Sequence, residues 1–347
     1  MRALDPENMY NRIFDFPEQM SDALTIAQKW HVSSKDIADF RNIVVVGMGG
    51  SAIGGDLLRS YLGGRLMVPL TVCRNYQLPE FVDDETLVIA SSYSGNTEET
   101  LAAVDDALGR KAMIVAMTTG GMLSEVARLN GIPCLMLPHG LQPRAALGYS
   151  FVPLLVLMEK LGLIKDAAKE INSTIEWLKH ERELHIEDLP TSDNAAKFVA
   201  THIQGKIPII YCGPTLTDSV GVRWKGQLCE NGKVLAFANQ YAEFNHNELV
   251  GWSESLKPLA KHLVVIQLHD ADDHPRIKRR MGIVTGLIEK LGVSVIEIES
   301  TGETPLQRMF SLIQYGDFVS YYLAILNGVD PTPVDAIEKL KKALVTA

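Results

Sequence analysis

The sequence predicts an α/β fold of two parallel sheets, each flanked by helices on both faces, with one further helix at the C-terminus. Short β-branched runs alternate with helical stretches twice along the chain, the pattern of strands buried on both faces of a parallel sheet. At 347 residues the chain is also long enough for two cores of ordinary size.

In the first half the strand candidates are Ile43-Val-Val-Val46, Leu70-Thr-Val-Cys-Arg74, Leu87-Val-Ile-Ala90, Met113-Ile-Val-Ala116 and Cys134-Leu-Met-Leu137. Helices are expected between most of them, near 52–62, 97–110 and 121–130. Pro143-Arg-Ala-Ala146 opens another, which runs through Leu154-Leu-Val-Leu-Met158. Residues 165 to 188 read as a charged helical stretch whose charges form a solvated face. Pro190-Thr-Ser-Asp-Asn194 ends that stretch and supplies an N-cap for the next helix. The second alternation consists of Ile207–Cys212, Leu235–Phe237, His262–Leu268 and Val293–Ile298, with helices near 216–230, 274–290 and 305–326. After Pro331-Thr-Pro333 a last amphipathic helix is expected, with Val334, Ile337, Leu340 and Leu344 on its buried face. The expected organisation is therefore 1–188, 189–330 and a terminal helix over 331–347.

Hydrophobic content of 46% and charged content of 22% fit a soluble globular protein. A formal net charge of -9 argues against broad nucleic-acid binding, which needs a basic surface. It leaves room for an anionic small ligand in a locally positive cleft. Cys73, Cys134, Cys212 and Cys229 have no metal-ligand or redox spacing, which points to a reducing cytoplasm without disulfides or structural zinc. The N-terminus has no apolar secretion segment, and no apolar run approaches the roughly 18–20 residues of a membrane span. The histidines show no ligand spacing, so no metal is expected.

The most telling segment is Ser91-Ser-Tyr-Ser-Gly-Asn-Thr-Glu-Glu-Thr100. It lies between an apolar run and a helix, so the Ser92, Ser94 and Thr97 hydroxyls and the free amides of a helix start converge on one spot. Such a spot suits a phosphate dianion. Neutral hydroxyls hold a phosphate ester without a metal and without attacking it, so the phosphate serves as a handle. Gly47-Met-Gly-Gly-Ser-Ala-Ile-Gly-Gly55 follows the first strand in the same way, and its glycines allow close backbone approach. Its Gly-x-Gly-x-x-Ala pattern is a weak dinucleotide fingerprint. An NAD site wants an acidic residue about 20 positions on, where this chain has Arg74, while an NADP pocket, a purely packing role and, foremost, a sugar or phosphate loop stay open.

The pair Gly-Gly-Ser and Ser-x-Ser-Gly-x-Thr resembles the sugar isomerase (SIS) domain family of phosphosugar binders, whose fold is a five-stranded parallel α/β sandwich. The resemblance implies that the phosphate sits on Ser92, Ser94 and Thr97, with Ser51 and the Gly49–Gly50 backbone beside it. In the second half, Arg223-x-Lys225-x-x-x-x-Glu230-Asn231-x-Lys233 is followed about fifteen residues later by Asn245-His-Asn-Glu248. On their own these could be unrelated surface residues, although polar clusters flanked by apolar chain often hold working residues. Together with Glu243-x-x-His246-Asn247, Pro143-Arg-Ala-Ala-Leu147, Asp330-Pro-x-Pro333 and Leu340-Lys341, they resemble the bifunctional phosphoglucose/phosphomannose isomerases, two-SIS-domain enzymes. The match runs from about residue 40 to the C-terminus. Other members can carry two adjacent histidines where this chain has Asn245-His246.

That resemblance implies an aldose–ketose isomerase acting on fructose 6-phosphate, glucose 6-phosphate and mannose 6-phosphate without a cofactor. Glu230 would be the base that moves a proton between C1 and C2, worth about 10²–10⁴ in rate. Arg144 would stabilise the enediolate, where one donor contributes roughly 2.7–4 kcal/mol and a planar guanidinium fits the planar target. His246 and Lys341 would handle ring opening, with the histidine arm reaching the neighbouring subunit of a homodimer. Lys341 falls on the apolar side of its helix, where a lysine can also merely snorkel. Two other readings remain: a non-catalytic phosphosugar regulator, and a phosphoglucose isomerase with little mannose 6-phosphate activity.

Overall fold

The computed structural model describes residues 2–32, 37 and 39–345, without the side chains of Arg2 and Val345. The chain opens with α1 (Met9–Phe14) and α2 (Phe16–Lys29). The first alternation follows as β1 (Asn42–Val46), α3 (Gly49–Leu62), β2 (Leu70–Cys73), β3 (Thr86–Ser91), α4 (Glu98–Gly109), β4 (Met113–Thr118), α5 (Gly121–Asn130) and β5 (Cys134–Met136). Two helices, α6 (Leu147–Lys160) and α7 (Ala167–Glu181), lead to α8 (Ala195–Ile203). The second alternation is β6 (Ile207–Cys212), α9 (Asp218–Glu230), β7 (Phe237–Gln240), β8 (Leu263–His269), α10 (Pro275–Glu289), β9 (Ser294–Glu299) and α11 (Pro305–Leu326). The last helix is α12 (Asp335–Val345).

The chain divides into two compact units. One comprises residues 15–179 and 302–310; the other comprises residues up to 14, 180–301 and those from 311 on. The first unit holds a five-stranded sheet in the order β2-β1-β3-β4-β5, with every pairing parallel. Its central strands are sealed on both faces: Ile43, Val44 and Val45 on β1 and Leu87 to Ala90 on β3 have no exposed surface. That burial explains why they read as unbroken apolar runs. Helix α6 is buried from Leu147 to Met158. It starts one residue after a separate 3-10 turn, Pro143–Ala145, so the single helix expected from Pro143 onward is broken at Ala146. Gln19 of α2 fixes this break by donating to the Ala145 carbonyl and accepting from the Gly148 amide, both at 2.7 Å.

The second unit holds a four-stranded parallel sheet, β7-β6-β8-β9, rather than the five strands of the resembled fold. No strand matching β5 follows β9 among the described residues, so β9 is an edge, with Ser294, Glu297 and Glu299 exposed. The expected strand at Leu235–Phe237 lies two residues further on. Leu235 is 63% exposed, and Phe237–Gln240 pairs with Ile209–Cys212. This edge strand is half-buried and ends in Asn239 and Gln240, so it carries no apolar run. Asn194 caps α8, its side chain accepting from the Lys197 amide at 3.0 Å.

The buried face expected for α12 is not buried. Ile337, Leu340 and Leu344 are 43%, 61% and 59% exposed. At the start of the helix, Val334 and Ile337 line a groove with the end of α9. The amphipathic pattern is present, but beyond that first turn its apolar side faces outward.

Candidate functional site

In the first unit the residues expected to hold phosphate converge at the C-terminal ends of β1 and β3, where ligands of parallel sheets bind. Ser92 is buried; its hydroxyl donates to Thr97 Oγ1 at 2.9 Å and accepts from the Gly95 amide at 3.1 Å. Ser94 is exposed and accepts from the Asn96 amide at 3.3 Å. Thr97 is the N-cap residue of α4, yet its side chain makes no capping bond, so it does not itself occupy the first amides of that helix. Gly95 has φ +70, and a Cβ there would sit 1.8 Å from the Gly120 carbonyl oxygen. Only glycine lets this loop close down on the next one.

The glycine loop is tied to the hydroxyl loop. Ser51, near the start of α3, is buried and accepts from the Tyr93 amide at 3.0 Å. A Cβ on Gly50 would lie 2.5 Å from the Pro143 carbonyl oxygen and 3.1 Å from the Arg144 nitrogen. The 3-10 turn therefore packs directly on the glycine loop, and Arg144, only 4% exposed, is carried to its edge. Gly49, Gly50, Ser51, Ser92, Ser94, Thr97 and Arg144 thus form one constellation assembled from three loops. Arg74, the residue standing where a dinucleotide fold would want an acid, is ion-paired with Asp56 of α3.

In the second unit Glu230 is the last residue of α9 and lines a groove of about 540 Å³ with Lys233, Asp330, Pro333 and the start of α12. The helix is anchored from behind. Arg223 donates to Asp317 at 2.6 Å and Gln227 donates to the same carboxylate at 2.8 Å. Trp224 Nε1 donates to the Leu312 carbonyl at 2.8 Å. Burial raises the Asp317 carboxyl from its ordinary value, while Arg223 and Gln227 pull the other way. Asn231 is fully buried and donates to Ser320 at 2.9 Å.

His246 is exposed at the end of the 3-10 turn Glu243–His246. The following loop is held by Glu248, which accepts from the Tyr211 hydroxyl and, at 2.6 Å, from Asn239 Nδ2. Trp252 Nε1 donates to the same phenol oxygen at 2.8 Å. Lys341 is exposed on α12, and neither it nor His246 lines the groove beside Glu230. Sequence reasoning assigned no role to Asp317, Glu248 or Lys233. The readable signal for Asp317 was a lone acid in an otherwise apolar helix, and Lys233 belonged to a motif whose last position had no assignment.

Among the described residues no cluster of three or more His, Cys, Asp or Glu could hold a metal, and no helix is long and apolar enough to cross a membrane. Burial pushes the Cys212 thiol up, so it stays protonated and is no nucleophile.

Residues 36–132 match the SIS domain family and residues 192–344 match the family described as Bacterial phospho-glucose isomerase C-terminal SIS domain. The chain is 46% identical over 336 residues to the bifunctional phosphoglucose/phosphomannose isomerase of Caldicellulosiruptor bescii, covering 97% of this chain and 98% of that one. It is 38% identical to the protein of the same description from Aquifex aeolicus, over 91% and 94% of the two chains. Among solved structures, the C-terminal domain of glucosamine-fructose-6-phosphate aminotransferase from Francisella tularensis superposes with a TM-score of 0.71 at 16% identity. It covers 94% of this chain and 98% of that one, a likeness of fold alone. Two parallel sheets, a hydroxyl loop closed by glycines and near full-length identity to the C. bescii and A. aeolicus proteins converge, and the chain belongs to the bifunctional phosphoglucose/phosphomannose isomerase family, a family of two-SIS-domain isomerases.

Proposed function

We propose that this protein interconverts fructose 6-phosphate with glucose 6-phosphate and mannose 6-phosphate by proton transfer through an enediolate. The observation that carries the reading is the contact of Pro143 and Arg144 with Gly50. It brings the backbone of Arg144, a buried arginine, against the glycine loop beside the neutral hydroxyl loop, which supports a reaction that develops negative charge near a phosphate ester. Ser51, Ser92, Ser94 and Thr97 hold the ester with the Gly49–Gly50 backbone. Glu230 takes the proton from one of C1 and C2 and returns it to the other. Arg144 stabilises the oxyanion that forms between these steps, and its two-pronged planar head suits adjacent oxygens.

His246 and Lys341 open and close the sugar ring, one accepting and one donating a proton. In this reading His246 serves the site of a second copy, so the working form is a cytoplasmic homodimer. The domain limits that go with it are 1–188 and 189–330, followed by the terminal helix. Epimer tolerance follows from the chemistry: the two aldoses differ only at C2, and both give the same enediol once that proton leaves.

Replacing Glu230 with Gln tests the assignment. Turnover of both aldose phosphates should fall by about 10²–10⁴ in a coupled assay, while fructose 6-phosphate affinity measured by calorimetry stays within a few-fold. Full activity in E230Q would refute Glu230 as the base. Loss of binding together with activity would show that it holds the sugar instead.

A further inference from the structure

The turn that follows Glu230 is fixed by more interactions than a helix end needs. Lys233 has φ +57, a left-handed conformation that glycine or asparagine takes at far lower cost. A lysine there calls for a reason in its side chain. Its ammonium donates to the carbonyl oxygens of Pro333 at 2.6 Å and Pro331 at 3.2 Å, and also to that of Glu230. An ammonium has three donors, and here three backbone acceptors converge on it. One is the terminal carbonyl of α9, at the negative end of the helix dipole; the other two lie in the segment that leads into α12.

The surroundings hold both partners of this contact still. Asn327 Nδ2 donates to the Gly232 carbonyl at 3.0 Å, and a Cβ on Gly232 would lie 2.8 Å from the Leu228 carbonyl oxygen. The Thr332 amide donates to Asp330 Oδ1 at 2.8 Å. Residues 335–344 of α12 are exposed, and Lys233 and the groove at the helix start tie its beginning to the end of α9.

We propose that Lys233 is a positioning residue that latches the start of α12 onto the end of α9. It thereby sets the place of Glu230 relative to the helix bearing Lys341. The inference rests on the roles proposed above for Glu230 and Lys341. It touches no substrate atom; it acts through the backbone of Glu230 and of residues 331–333. Methionine, of similar length, removes all three donors and frees α12 to move as a unit, leaving the fold behind it intact, whereas glutamine keeps two N–H donors without the charge.

The test compares K233M, K233Q and K233R in the full-length protein by hydrogen exchange, thermal melting and steady-state kinetics on both aldose phosphates. In K233M, amides over 334–345 should exchange about tenfold faster or more, while amides of the two sheets stay unchanged. The turnover number should fall about 10–100-fold, because small misplacements cost that much, with KM within about threefold. K233R, which keeps charge and donors, should recover most of both effects, and K233Q should fall between.

Unchanged exchange in K233M overturns the latch. Faster exchange with unchanged turnover overturns the positioning role, as does K233R behaving like K233M. Faster exchange across the whole unit makes Lys233 a general stability residue and also refutes the proposal; if K233M is insoluble, the ordering of K233Q, K233R and wild type decides. Exchange needs no turnover, so it judges the latch even if E230Q shows the isomerase assignment to be wrong.

Discussion

Gly50→Ala is the sharpest single perturbation of the region proposed to hold the phosphate and the enediolate. The added methyl would lie 2.5 Å from the Pro143 carbonyl oxygen and 2.6 Å from its carbon, against roughly 3.5–4.0 Å for relaxed carbon contacts. Both obstacles are backbone, so no rotamer relieves them. The 3-10 turn must retreat by about 0.5–1 Å, and Arg144 moves with it. Overpacking of this kind costs about 1–3 kcal/mol, equivalent to a fall in melting temperature of about 3–10 °C for a unit of this size. A displacement near 1 Å of a group that stabilises charge costs about 10²-fold in rate. Thermal melts and coupled assays with glucose 6-phosphate and mannose 6-phosphate read both effects, and both aldoses should lose turnover equally. A folded G50A enzyme with turnover within threefold of wild type would refute the claim that this contact sets Arg144.

Ser92→Ala removes a buried hydroxyl that accepts from the Gly95 amide and donates to Thr97. The lost contacts, each worth about 1–3 kcal/mol, should raise KM and the fructose 6-phosphate dissociation constant about tenfold or more. Turnover should change little, because the phosphate is held equally in ground and transition states; an unchanged KM would remove Ser92 from the phosphate site. His185 gives a pH signature in stability. Burial lowers its imidazole from the ordinary 6.5 to about 4, and it packs edge-on against Tyr315 at 5.0 Å. Below pH 6.5 the unfolded chain binds a proton that the folded one refuses, so stability falls with acidity between pH 6.5 and 4, by about 2 kcal/mol at pH 5. Urea unfolding of wild type and His185→Phe at pH 7.5 and 5 should show that share of the loss only in wild type; equal losses would place His185 in a solvated environment.

The continuous runs Ile43–Val46 and Leu87–Ala90 were legible because both faces of those strands are dry, and Ile207–Cys212, half-buried at Ile207 and Ile209, because it is apolar and β-branched; all three are strands. Helix 121–130 was readable from apolar periodicity and flanking Gly, and 305–326 from a long, largely apolar run opened by Pro305 and buried nearly all round. Strand β7 was misplaced by two residues because an edge strand is half-wet and Asn239 and Gln240 carry no strand signal. The hydroxyl loop was legible as a local motif, since Ser92 and Thr97 are only five positions apart. Its link to Arg144 was not: Gly50 and Pro143 meet across 93 residues, and a glycine kept small by a distant carbonyl looks like any other glycine. Lys233 was invisible for a related reason, because its partners are backbone carbonyls, which every residue possesses. The outward apolar side of α12 shows the limit of periodicity. It reports that one side of a helix is greasy, without saying what covers it.

With no fifth strand beyond it among the described residues, β9 is an edge of the second sheet, and an edge strand is a ready template for adding a foreign strand. The alternation along Ser294–Glu299 sets exposed carboxylates at Glu297 and Glu299 on that rim. Were a second copy to add its β9 antiparallel about Ile298, Glu297 of each copy would face Glu299 of the other, and like charges facing each other across strands repel. The open edge thus carries its own guard against pairing with a second copy, using two side chains and no extra length of chain.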